Sequence, residues 1–210
     1  MINLDKLNTI NWEKQNICIL GAGKSGIGAA KLANYVKANV LLSDIVNKKI
    51  DIIENNKFQY ESSGHSDKIL NYDLIIKSPG IPNEIDILQR CIKKQMPIVS
   101  EIEFASWFSK SQSIAITGSN GKTTTANLVY EIFKNTGLNV LLGGNIGTPY
   151  SENVLYELQN NDEFLHVIEI SSYQAEHLMH YNPLISCILN ISEDHLDRYQ
   201  TMDEYVNAKL

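Results

Sequence analysis

Residues 114–125 read Ile-Ala-Ile-Thr-Gly-Ser-Asn-Gly-Lys-Thr-Thr-Thr: an apolar run, a loop bounded by glycines, then a lysine and three threonines. An apolar run that stops at such a loop and restarts as a helix is a strand feeding a helix N-terminus, where backbone N–H groups can cradle phosphate oxygens. In that setting Lys122 brings positive charge to the β- and γ-phosphates, and the Thr123 hydroxyl can reach Mg²⁺. Gly118, Ser119, Asn120, Gly121, Lys122, Thr123 and Thr124 are therefore the candidate ATP-binding residues. The usual phosphate loop has a glycine five residues before Gly121, where this chain has Ile116, so the pattern is the shorter T-G-x-x-G-K-T. A tight turn alone would leave the lysine and hydroxyl at the helix start unexplained.

Around this stretch, apolar β-rich runs alternate with helical patterns, which predicts parallel sheets with crossover helices. Downstream, strands are expected at 139–142, 164–169 and 185–190, and helices at 123–136, 151–158 and 172–179. A loop spans 143–148, and a last helix is opened by Thr201-Met202-Asp203-Glu204, a capping-box pattern. Upstream, strands are expected at 16–20, 39–43, 58–62, 73–77 and 97–99, with helices at 25–35, 48–55, 84–94 and 101–108. The polar segment 109–113 resets the pattern. The fold class is thus α/β: a Rossmann-like parallel-sheet domain over 1–112, then a P-loop ATPase-like α/β domain over 113–210 that looks incomplete.

Composition narrows the partners. With 18 basic and 24 acidic side chains the net charge is −6, which speaks against a nucleic-acid footprint. Small molecules are the expected ligands. Cys18, Cys91 and Cys187 lack paired metal spacing and read as reduced thiols, two of them within apolar runs. The N-terminus lacks a leader pattern and no run approaches the roughly 20 apolar residues that span a bilayer, so a cytoplasmic protein without membrane contact is expected.

The first half carries its own glycine signal, Gly21-Ala22-Gly23-Lys24-Ser25-Gly26, between a strand and a helix, with Asp44 at the tip of the next strand. By spacing this is a dinucleotide fingerprint with Asp44 poised for a ribose hydroxyl. The physics, however, requires only that a diphosphate-like anion meet a helix N-terminus, and close strand–helix packing with no ligand is the plainer alternative. Ser78-Pro79-Gly80, after the strand at 73–77, lies on the same carboxyl edge, or is only a Pro-Gly turn. In the second half, Glu169 ends an apolar strand where an acidic group can hold Mg²⁺ beside the phosphate loop. His195, amid charged neighbours at another strand end, is a candidate metal ligand or phosphate contact. The other histidines, His65, His166, His177 and His180, default to surface or core roles.

Taken in order, these segments, with Gly143-Gly144-Asn145-Ile146-Gly147, Glu169-Ile170-Ser171-Ser172-Tyr173-Gln174 and Asn190 through Tyr199, resemble the Mur ligase family. The resemblance implies an ATP-dependent amide ligase of peptidoglycan synthesis. It would join D-glutamate to UDP-N-acetylmuramoyl-L-alanine after activating the alanine carboxylate as an acyl phosphate. It implies that Lys122 and Thr123 contact phosphate and Mg²⁺, that Glu169 and His195 serve the metal site, and that Asn145 and Ser171 face the muramoyl substrate. Lys209 matches the lysine that family members carbamylate to help hold a second metal. The first glycine loop would then hold a uridine diphosphate, not NAD, with diphosphate near Lys24 and Ser25 and the nucleoside near Asp44, Ser78, Pro79 and Gly80. Ile45 and Val46 offer no polar side chain for the base. Family members carry a third, C-terminal domain that brings the amino acid, so a fragment that binds without turning over is expected. A related ligase, such as an L-alanine-adding or folylpolyglutamate enzyme, and an NAD-binding redox module with an ATPase domain are the competing readings.

Overall fold

A computed structural model describes residues 4–47, 58–193, 199 and 201–209. The helix expected at 48–55 and the segment 194–198, which contains His195, lie outside the described residues. The first sheet comprises β1 (Asn16–Leu20), β2 (Asn39–Ser43), β3 (Gln59–Glu61), β4 (Leu74–Lys77) and β5 (Ile98–Ser100), in the order β3-β2-β1-β4-β5. Every pairing is parallel. The strands are short apolar runs because both faces are covered. On β1, Ile17 and Ile19 enter one core with helix α1 (Lys24–Tyr35), while Cys18 and Leu20 enter another with α2 (Asp86–Lys93). Each fully buried isoleucine or leucine contributes about 2 kcal/mol of burial energy.

The chain leaves β1 toward β2 on one side and returns to β4 on the other. That reversal opens a crevice at the strands' carboxyl ends, between the Gly21–Gly26 loop and the Ser78–Gly80 turn. The two are stitched together there: Ser78 N–H donates to the Leu20 carbonyl at 3.0 Å and Ser78 Oγ to the Gly21 carbonyl at 3.2 Å. A Cβ at Gly26 would collide with the Gly21 carbonyl oxygen, so only glycine lets α1 start this close to β1.

The second sheet holds β6 (Gln112–Thr117), β7 (Val140–Gly144), β8 (Leu165–Glu169) and β9 (Ile185–Ile188), in the order β7-β8-β6-β9 and again all parallel. Helix α4 (Lys122–Lys134) follows β6, α5 (Tyr150–Asn160) follows β7, the short α6 (Ser172–Ala175) follows β8, and α7 (Met202–Asn207) comes last. As the Thr201-to-Glu204 pattern leads one to expect, Thr201 accepts the Glu204 N–H. Gly143 and Gly144, expected in a loop, extend β7 because Gly144 pairs with Glu169.

The two sheets share one apolar core, in which α1 and α3 (Glu101–Ser106) meet α5. Buried carboxylates brace the join. Glu103, fully buried, accepts the N–H groups of Met179, His180 and Tyr181 at 2.8–3.0 Å and Trp107 Nε1–H at 2.8 Å. This explains why the helix expected to run to residue 179 stops at Ala175: its continuation gives its donors to Glu103 instead. Glu157 accepts from Lys110 N–H at 2.7 Å, Ser109 Oγ at 2.8 Å and His166 at 2.9 Å. Burial pushes the Glu157 carboxyl up, but those bonds outweigh it and hold the group below its usual range. Cys18 and Cys91 are buried free thiols and Cys187 is half-buried. Among the described residues no helix is long and apolar enough to cross a membrane.

Candidate functional site

Helices α1 and α4 begin alike. Each has glycine as its N-cap, Gly23 and Gly121, and neither has a side-chain cap, so first-turn N–H groups are left for a ligand. Gly121 takes a φ of +82°, a left-handed turn that aims the start of α4 back across the end of β6. The loop ahead of it is pinned from outside. Ser119 N–H donates to the Asn190 carbonyl at 3.0 Å, and Asn120 N–H donates to Asn190 Oδ1 at 2.9 Å. Ser119 Oγ lies 2.8 Å from the Tyr205 hydroxyl and donates to the Ser192 carbonyl at 2.9 Å.

On this rigid loop the predicted side chains converge. Lys122 Nζ donates to the Gly118 and Ser119 carbonyls at 2.7 and 2.8 Å, which holds its charge over the loop. Thr123 Oγ1 donates to Glu169 Oε2 at 2.7 Å, and Asn145 Nδ2 donates to Glu169 Oε1 at 2.7 Å. Glu169 is 1% exposed, yet both its oxygens are bonded, so the end of β8 is locked to the start of α4 and to the loop after β7. Lys209, also buried, reaches the same place from the turn that follows α7: its Nζ lies 3.3 Å from the Gly118 carbonyl and from Thr117 Oγ1, and 4.9 Å from the Tyr205 ring centroid. Two lysines that are 87 positions apart in the chain thus share one carbonyl.

Hard oxygen donors suit Mg²⁺, which takes one or two protein groups and completes its shell with phosphate and water. A carboxylate and a hydroxyl 2.7 Å apart at a helix N-terminus fit that description. Among the described residues no cluster of three or more His, Cys, Asp or Glu forms an all-protein cage. The Thr123–Glu169 pair leaves most of a Mg²⁺ shell to phosphate and water, so it fits a metal carried in with a phosphate ligand.

A cleft of about 290 Å³ brings Pro79 and Gly80 of the first sheet's edge opposite Lys122, Asn145, Ser171 and Lys209. A larger one of about 890 Å³ opens on the far side of Lys209, beside β9 and α7; of the predicted residues it is lined by Lys209 alone. Ser171 is spent locally as well, since its hydroxyl accepts the Gln174 N–H and caps α6 in a full capping box. At the other loop, Lys24 and Ser25 open α1, and nothing stands within 4 Å of a Cβ position at Gly23, so an anion can approach. Asp44 is buried at the tip of β2. Its Oδ2 accepts Ala22 N–H at 2.7 Å and its Oδ1 accepts Val46 N–H at 2.8 Å, bracing the loop from beneath.

Sequence reading missed three groups near these sites. Lys77, buried at the end of β4, lies 3.8 Å from Glu176 across the join between the sheets. Glu101, buried at the start of α3, accepts the Ser151 N–H at the start of α5. His65 hydrogen-bonds Ser43 at the end of β2. No local pattern marks any of them, because each acquires its partner from a distant element.

Comparison with known proteins matches both halves. A model of the MurD N-terminal domain covers residues 16–87, and a model of the Mur ligase middle domain covers residues 116–210. The UDP-N-acetylmuramoylalanine--D-glutamate ligase of Bacteroides fragilis is 42% identical over 201 residues, 93% of this chain and 44% of that protein. The ligase of the same name from a Geobacter strain is 38% identical over 206 residues, 94% of this chain and 44% of that protein. The chain thus spans less than half the length of these relatives. Among solved structures, the UDP-N-acetylmuramate:L-alanyl-gamma-D-glutamyl-meso-diaminopimelate ligase from Neisseria meningitides superposes with a TM-score of 0.61 at 18% identity, over 92% of this chain and 66% of that one. The UDP-N-acetylmuramate-alanine ligase of Thermotoga maritima gives 0.55 at 20% identity, over 92% of this chain and 46% of that one. These two likenesses speak to the fold alone. With one family domain matched on each sheet and the glycine loop at 118–124 inside the second match, the chain belongs to the Mur ligase family.

Proposed function

We propose that this chain is the nucleotide-handling part of an ATP-dependent ligase that adds D-glutamate to UDP-N-acetylmuramoyl-L-alanine. Residues 1–112 hold the uridine diphosphate end of the precursor and residues 113–210 hold ATP with Mg²⁺. The names of the relatives at about 40% identity support the substrate pair. The observation that carries the reading is the 290 Å³ cleft, which sets the Pro79-Gly80 turn opposite Lys122, Asn145 and Lys209.

The chemistry asks for what these residues offer. ATP with its metal would supply the γ-phosphoryl group to the alanine carboxylate, giving an acyl phosphate and ADP, and the amine of D-glutamate would then attack the acyl carbon, releasing phosphate and a proton. Such transfer is mostly positioning and charge neutralisation. Lys122 and the first-turn N–H groups of α4 hold the β- and γ-phosphates. Thr123 and Glu169 are the groups that would hold Mg²⁺, with His195 and a carbamylated Lys209 serving a second ion. Asn145 keeps Glu169 oriented and lies where the muramoyl-alanine carboxylate must arrive. ATP and nucleotide-sugar precursors are cytoplasmic, so the protein is assigned to the cytoplasm.

Calorimetric titration of the chain with UDP-N-acetylmuramoyl-L-alanine, with ATP and Mg²⁺, and with NAD tests the reading. Saturable binding of the first two, with no NAD signal, is expected. NAD binding that competes with the UDP precursor would turn the first sheet into a redox module.

A further inference from the structure

Ser43, the last residue of β2, is fully buried, and its hydroxyl lies 2.7 Å from Glu61 Oε1 on β3 and 2.7 Å from His65 Nδ1. A hydroxyl has one proton to give. The Glu61 carboxyl is pushed up by burial, but hydrogen bonds from Ser66 and Ser43 outweigh that and hold it below its usual range, so it is an anion at neutral pH. An anion is the stronger acceptor, so Ser43 donates to Glu61. His65 must then donate Nδ1–H to Ser43 Oγ, which fixes the tautomer and leaves a lone pair on Nε2. Burial also holds the His65 imidazole below its ordinary range, against the opposing pull of Glu61 and Asp44, so the ring is uncharged at pH 7. Among the described residues Nε2 has no hydrogen-bond partner.

The position of this lone pair gives it a use. In a doubly wound sheet whose first helix holds a diphosphate, the sugar and base extend over the carboxyl end of β2. Asp44, the residue that spacing assigns to the ribose, gives both its oxygens to loop N–H groups. His65 is anchored beside it on the β3 side, at the same carboxyl edge of the sheet, within the region over which a base beyond the sugar would extend. Ile45 and Val46, which follow Asp44, have apolar side chains that cannot read the base.

We propose that His65 is a specificity-determining residue whose Nε2 accepts the N3–H of a uracil, selecting uracil over cytosine, which presents a lone pair at that position. The inference rests on the reading that the first glycine loop holds a uridine diphosphate. A pyrimidine with an acceptor at N3 sets two lone pairs against each other, and a buried acceptor left unmatched is penalised more than the bond itself is worth.

The test is calorimetry of the full chain with UDP, CDP and pyrophosphate, on the unsubstituted protein and on His65→Asn and His65→Phe. Asparagine can keep the bond to Ser43 while placing no atom at Nε2; phenylalanine keeps the ring volume. The unsubstituted chain is expected to prefer UDP to CDP by about tenfold or more, since one matched hydrogen bond against one clash spans that range. Both variants should lose most of that preference, chiefly by weaker UDP binding, with pyrophosphate affinity unchanged. Equal affinity of the unsubstituted chain for UDP and CDP would overturn the inference without any variant, and so would a preference that survives in both. Failure of the unsubstituted chain to bind UDP at all would bring down the uridine reading itself, and this inference with it.

Discussion

The loop at Gly21–Gly26 and the loop at Gly118–Thr124 both leave a parallel strand and start a glycine-capped helix, yet they are built from different parts. The first has its backbone braced by two neighbours, Asp44 and Ser78, and its own lysine, Lys24, is exposed. The second draws in side chains: Lys122 over its carbonyls, Thr123 on Glu169, Lys209 from the turn after α7. A third helix start, that of α5, is already filled by the protein's own Glu101. The comparison separates three uses of one electrical feature. On the proposed function, a diphosphate that is only carried meets a shaped backbone and a triphosphate that reacts meets a charged side chain and a metal group, while a helix end used as a joint takes an internal acceptor.

The largest expected effect tests the second use. Lys122→Ala should weaken ATP binding by a hundredfold or more, about 3 kcal/mol for a charge-assisted contact to phosphate, while UDP affinity in the same titrations stays within a few-fold. Equal loss of both ligands would show that the loops do not act separately. Gly26→Val should instead break the fold. Overpacking against the Gly21 carbonyl and Ser78 is expected to lower stability by roughly 3 kcal/mol in denaturant melts. A well-folded Gly26→Val that merely bound UDP less well would erase the contrast between backbone and side-chain construction.

The joint responds to pH. Burial pushes Glu101 up to about 7, against the opposing hydrogen bonds from Ser151, and its Oε2 has no hydrogen-bond partner among the described residues. A carboxyl whose folded value lies above its unfolded one is better protonated in the folded state, so it withdraws stability as pH rises from about 4.5 to about 7. Glu101→Gln keeps an acceptor for Ser151 and never ionises. Its stability gain over the parent chain should therefore grow from less than about 1 kcal/mol at pH 5 to about 3 kcal/mol at pH 8. A gap that shrinks with rising pH would mean that the Glu101 anion is a favourable cap. The smallest effect is expected at Lys24: Lys24→Ala should reduce UDP affinity only a few-fold, because an exposed charge is screened. A loss as large as that of Lys122→Ala would show that both loops lean on their lysines.

Much of the site was legible because its signals are local. Thr117-Gly118 through Thr124 specifies a strand, a turn and a helix start by itself, and Glu169 is marked by standing at the end of an apolar strand. Asp44 was legible as a residue at the first glycine loop, but not in its hydrogen-bond partners. Spacing places it at the tip of β2, and only the three-dimensional path of residues 22 and 46 turns its oxygens inward. Glu101, Glu103 and Glu157 read in the sequence as ordinary charges on helices. They are buried because they meet orphaned backbone donors from elements up to 78 positions away, a match that no periodicity encodes.

The sequence by itself determined the two glycine loops, the strands that feed them and the helices that they open, since glycine spacing and apolar runs act over a few residues. Tertiary structure alone decided strand order, which carboxylates are buried, that Lys209 shares a carbonyl with Lys122, and which ring nitrogen of His65 carries the proton. Those depend on contacts between distant elements, where a polar group's partner is set by packing and its protonation by the partner.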